Sequence, residues 1–157
     1  MSNTGHPGYR RRTVLAGLAA SVAGAASLVG VGGAQPVQGA VSYNVWRGQY
    51  GGGTEKRIDV LADAKAWKRA WQGIDKPPAA VFVVGKHRGL FVSQGQKMTG
   101  GFRVEVVSAA HDGNVVRVVL RDAAPPADRF ATQALAEPWG IVLLETAGLR
   151  VEARWAE

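Results

Sequence analysis

The 157-residue sequence contains no cysteine, which removes disulfides, thiolate metal sites, iron–sulfur clusters and cysteine nucleophiles together. It has three histidines, His6, His87 and His111, far apart and in no ligand spacing such as H-x-x-x-H or H-E-x-x-H. Gly51-Gly52-Gly53-Thr54 lacks the Lys-Ser/Thr that a phosphate-cradling loop needs. Ser93, His111 and Asp112 form one loosely suggestive catalytic set, but Phe-Val-Ser-Gln-Gly around Ser93 is no nucleophile elbow. Glu105 and Glu137 are carboxylates without a pattern that pairs them for glycosidic chemistry. The expectation is a non-catalytic protein without metal or cofactor. With 46% hydrophobic and 20% charged residues, the length fits one folded domain.

The first 34 residues read as an address. Arg10-Arg11-Arg12 precedes an apolar, Ala/Gly-rich stretch from Val14 to about Val31, and small residues follow. Ala and Gly give that stretch too little hydrophobicity for a lasting anchor, so no stable membrane span is expected after cleavage. Arg11-Arg12-Thr13-Val14-Leu15 resembles the twin-arginine export signal, with Arg10 where Ser or Thr is common and Ala16 where Lys is common. Gly32-Gly33-Ala34 offers small residues at −3 and −1, which places the cut after Ala34, ahead of a second site after Ala40. The mature protein is expected in the periplasm or outside the cell.

Residues 1–34 hold three arginines and no acid, leaving 16 basic and 12 acidic side chains, net +4. The cations are interleaved with acids, as in Lys56-Arg57-Ile58-Asp59 and Arg150-Val151-Glu152. Nucleic-acid binders concentrate their charge, so no nucleic-acid partner is expected.

Residues 35–53 read as a flexible linker holding a candidate first strand at Val41–Arg47, and 54–157 as a β domain. Ile58 and Val60 alternate in a strand. Asp63 can cap a helix on which Ala64, Trp67 and Trp71 share an apolar face opposite Lys65, Lys68 and Arg69, with Pro77-Pro78 as its stop. Ala80–Val84 and Gly89–Ser93 are continuous apolar runs, each read as a strand. Val104 and Val106 alternate, Asp112-Gly113 turns, and Val116, Val118 and Leu120 alternate again, a hairpin with one face buried. Residues 123–138 form a loop, and Ile141–Thr146 with Leu149–Trp155 read as a second hairpin about Ala147-Gly148. Trp46 and Trp155 are expected as core or edge cover, and His87 and His111 as exposed loop residues. The sum is a mainly β fold (α+β with one short helix), an antiparallel sandwich or partly open barrel of seven to eight strands.

Two segments do more than alternate: Thr99-Gly100-Gly101-Phe102, entering the long hairpin, and Pro138-Trp139, before the penultimate strand. Either could be structural, the glycines supplying a turn and Trp139 a buried indole, or together they could form a protein-binding site. Their order after the Trp67/Trp71 helix and Gly95 resembles the C-terminal domain of PrcB, over roughly residues 58–155. That resemblance implies an accessory subunit of an exported protease complex, with a protease or another envelope protein as partner. The alternative resemblance is to chagasin-like inhibitors of papain-type cysteine peptidases, which present three loops at one end of an immunoglobulin-like sandwich. Here Gln96-Lys97-Met98 replaces their Asn-Pro lead, no Gly-x-Gly-Gly lies between Asp122 and Pro138, and Glu137 stands where they have Arg.

The leader reading predicts an intact mass starting near Gln35 for protein taken from its native compartment. A mass that retains Val14–Val31 contradicts cleavage, and unchanged export after Arg11→Lys with Arg12→Lys contradicts the twin-arginine route.

Overall fold

The computed structural model describes residues 39–128 and 131–157, so residues 1–34 and the cut after Ala34 lie outside the described residues. The described chain forms seven strands and one helix: β1 (Tyr43–Gly48), β2 (Lys56–Leu61), α1 (Ala64–Gly73), β3 (His87–Gln94), β4 (Arg103–Asp112), β5 (Val115–Ala123), β6 (Trp139–Glu145) and β7 (Arg150–Trp155). They build a four-stranded antiparallel sheet, β1-β6-β3-β2, and a three-stranded sheet, β4-β5-β7. The two sheets pack as a sandwich that does not close into a barrel.

The four-stranded sheet is covered on both faces. Leu90, Val92, Val142 and Leu144 face the other sheet and meet Val104, Val116, Val118, Leu120 and Val151. On the opposite face Phe91, Ile141 and Leu143 pack beneath α1 with Trp67, Trp71 and Phe82. A strand with two buried faces needs apolar residues at every position, hence the unbroken apolar runs of β3 and β6.

Helix α1 starts where Asp63 accepts a bond from the Ala66 amide at 2.7 Å. Its Trp67 and Trp71 are buried while Lys65, Lys68 and Arg69 face out. The indoles form edge-to-face contacts, with Trp67–Trp71 centroids at 5.7 Å, Trp46–Trp71 at 5.6 Å and Trp71–Trp139 at 6.4 Å. The helix stops before Pro77-Pro78. Asp75 takes φ +53°, its amide bonds Gln72 O and the Lys76 amide bonds Trp71 O, a left-handed terminator that satisfies the last carbonyls.

Three expectations are corrected. Ala80–Val84 is not a strand, because both edges of β3 are already taken, by β2 and β6. Ile141–Thr146 and Leu149–Trp155 are not a hairpin either. The edges of β6 are occupied by β1 and β3, so Ala147-Gly148 carries the chain across the sandwich and β7 pairs with β5, in parallel. Neither histidine is an exposed loop residue: His87 is buried within β3, where its Nδ1 accepts from the Val83 amide at 3.0 Å, and His111 is half-buried within β4.

The β4–β5 hairpin stands as expected, with Gly113 at φ +59° in its two-residue loop. A bulge at Val107 shifts its register, so Val104 and Val106 face inward before it and Ala109 after it. Leu120→Ala is predicted to cost ~2–5 kcal/mol in denaturant unfolding. Val107→Ala, on the outward bulge, should cost less than about 0.5 kcal/mol. The reverse order would contradict this phase of the hairpin.

Candidate functional site

The strand register gathers three connections at one end of the sandwich. Gly48 and Ser93 both lie opposite Trp139, and Lys56 lies opposite Gln94. The β1–β2, β3–β4 and β5–β6 connections therefore leave the same end, and the last two carry Thr99–Phe102 and Pro138.

Gln49 stitches these connections together. Its Nε2 donates to Phe102 O at 2.8 Å, and its Oε1 accepts from the Gly101 amide at 2.9 Å. Its own carbonyl accepts from the Glu137 amide at 2.9 Å. Lys97 and Ala136 exchange both backbone bonds, at 2.8 and 2.9 Å, and the Gln94 amide donates to Pro138 O at 3.0 Å. The two segments singled out in the sequence thus lie side by side. Gly101 takes φ +91°, and a Cβ there would sit 2.8 Å from Pro125, so the tight fold of this loop requires glycine.

The individual residues are placed differently. Thr99 and Phe102 are half-buried, Gly100 is buried and Gly101 exposed; Pro138 and Trp139 are buried. The Trp139 indole points into the aromatic layer, donates Nε1–H to Tyr50 O at 2.8 Å and lies so close to Gly48 that a Cβ there would meet it at 2.5 Å. An indole held in this way is a packing element. The exposed apolar side chains of this end are others: Met98, 77% exposed, Tyr50, 63%, and Leu135, 55%. The Lys97–Ala136 bridge sets Met98 opposite Leu135, and the Gly52 amide bond to Glu137 O at 2.9 Å brings the Tyr50 loop alongside. Their loops carried no periodicity to mark them. Large apolar residues inside polar loops were the available signal.

Charge at this end is compact. Lys97 Nζ pairs with Asp122 at 2.8 Å and lies 4.8 Å from the centre of the Phe102 ring, and Lys56 Nζ lies 4.2 Å from that of Trp155. The loosely suggestive catalytic set does not assemble. Ser93 is buried at the loop end and receives the Gly95 amide at 3.1 Å, whereas His111 and Asp112 precede the hairpin turn at the other end. Glu105 accepts hydrogen bonds from Arg121 and then Arg103, which hold its carboxyl below the usual carboxylate range. Glu137 is tied to the Gly53 amide at 3.4 Å. Among the described residues no three His, Asp or Glu side chains are grouped to hold a metal ion, and no helix is long and apolar enough to cross a membrane.

Gln49→Ala removes both side-chain bonds of the stitch. It is predicted to cost about 1–3 kcal/mol and to raise amide exchange at Gly101 selectively. Unchanged exchange at Gly101 would show that the loops hold without it.

No curated protein and no solved structure matches the chain. A family model described as PrcB C-terminal matches residues 90–145, from the second half of β3 to the end of β6, with both loop segments inside the match and the tryptophan helix outside it. Over the segment that builds the loop end, the chain is similar to the PrcB C-terminal family.

Proposed function

We propose that this is a non-catalytic, exported protein-binding domain that acts as an accessory subunit beside a protease or another envelope protein. The carrying observation is a coincidence of place. The matched segment holds two of the three connections of the loop end, with Met98 and Leu135 exposed on them, and Gln49 and Tyr50 of the third connection, outside the match, fix and flank them. Aromatic and methionine side chains are enriched in the buried centres of protein interfaces, and a pre-ordered loop loses less entropy on docking. In this reading the glycines let a partner backbone approach closely, while Tyr50, and not the half-buried Phe102 or the buried Trp139, supplies the aromatic anchor. Separation of Ser93 from His111 and the paired state of Glu105 favour binding over catalysis.

The gathering of three connections at one end also supports the second reading, a chagasin-like inhibitor of papain-type peptidases. Its departures at Gln96-Lys97-Met98 and Glu137 leave it behind the accessory role.

The test is capture of an envelope protease by the full chain, repeated with Tyr50→Ser combined with Met98→Asp. Because both positions are exposed, the melting temperature should stay within a few degrees. Affinity is predicted to fall by more than ~2 kcal/mol, the cost of losing an interface hot spot. Undiminished capture would move the binding surface elsewhere. Direct inhibition of a papain-type peptidase by the purified chain would favour the second reading.

A further inference from the structure

The eight-residue run Pro77-Pro78-Ala79-Ala80-Val81-Phe82-Val83-Val84 leaves α1 on the side of the loops, where Ile74 lies against Gly51, and returns along the helix to the start of β3 at the opposite end without joining a sheet. It is held firmly from within. Phe82 is buried 5.8 Å from the Trp67 ring and 6.1 Å from His87, and Trp67 Nε1–H donates to Ala80 O at 3.1 Å. The Val83 amide donates to His87 Nδ1 at 3.0 Å, while its carbonyl accepts from the Lys86 and His87 amides at 3.2 and 2.9 Å. These anchors turn the remaining side chains out: Val81 is 79% and Val84 70% exposed, with Val83 beside them. Water gains nothing from such a display, and burial of its apolar area would be favourable.

Two observations specify what would cover it. The backbone offers little for an added strand, since the prolines have no amide and the groups of Val83 are already bonded. What the segment presents is apolar side chains. Around them the charge is positive. Lys68 lines a groove of about 570 Å³ with Pro78, Val81 and Phe82, and Lys65 and Arg69 lie beside it on the same acid-free helix. Among the described residues none of these three cations has an ion-pair partner, and Asp63, the acid nearest them in sequence, is occupied as the helix cap. Lys86 pairs with Glu145 at 3.1 Å.

We propose that this end docks the domain on an anionic lipid surface. Val81, Val83 and Val84 reach the boundary between headgroups and acyl chains, and Lys65 and Lys68 meet lipid phosphates. The site lies at the start of β3 and the protein-binding loops at its end, so a docked domain keeps those loops turned away from the lipid. The two surfaces share none of these residues, and either can fail without the other.

The absence of cysteine makes the test direct, because Val84→Cys gives the full chain a single thiol for an environment-sensitive fluorophore. Vesicles of phosphatidylglycerol with phosphatidylcholine should raise and blue-shift its emission, and phosphatidylcholine alone should not. The signal should weaken with added salt, and Lys65→Glu with Lys68→Glu should weaken binding about tenfold or more. The same label at Arg117→Cys, on the outer face of the three-stranded sheet, should not respond. No response at position 84, or equal responses at 84 and 117, would overturn the proposal. A response at 84 to a protein partner but not to anionic vesicles would assign the segment to a protein contact and overturn it equally.

Discussion

Burial of β3 and β6 on both faces is the constraint from which the rest of the molecule follows. Val92 and Val142 must meet one layer while Phe91 and Ile141 meet another, so the four-stranded sheet needs both a second sheet and a cover of its own. The cover is a single short helix, and two tryptophans give ten residues the bulk to close the face. Because β3 and β6 occupy each other's edges, and β1 and β2 the remaining two, no position is left for a further strand beside them. This is why β7 crosses to the other sheet and why Pro77–Val84 runs unpaired.

The same constraint produces a working end. Three connections emerge together where the central strands stop, and Gln49 joins two of them through both ends of its amide and through its backbone. The family-matched segment supplies two of the three connections. Trp139 serves the end from behind, as a wall shared with Trp71, while Tyr50, Met98 and Leu135 face outward. Packing and exposure are thus divided between neighbouring residues of the same end.

Much of the fold was legible where one physical cause dominates. Asp63 as a cap, the Trp67/Trp71 face and the β4–β5 hairpin each depend on neighbours a few residues away, and local pattern reads them well. Pairing across the molecule left no such mark. Ala80–Val84 and Leu90–Val92 look alike as apolar runs, and only the occupied edges of β3 separate a loop from a strand. Ala147-Gly148 does turn the chain, but whether it closes a hairpin depends on β1, about a hundred residues earlier in the sequence. At the candidate site, the sequence singled out Thr99–Phe102 and Pro138-Trp139, and the structure places the two segments side by side. The division of labour within it depended on the side chain of Gln49, a residue type that carries no pattern of its own.

Native-state amide exchange tests the central claim most directly, since burial on two faces should make β3 and β6 the last elements to open. The amides of Leu90, Val92, Val142 and Leu144 should exchange only through global unfolding, while those of Val81 and Val84 exchange through local opening. Protection at Val81 and Val84 equal to that of β3, or early exchange in β6, would contradict a sheet whose two central strands are filled on both edges and covered on both faces.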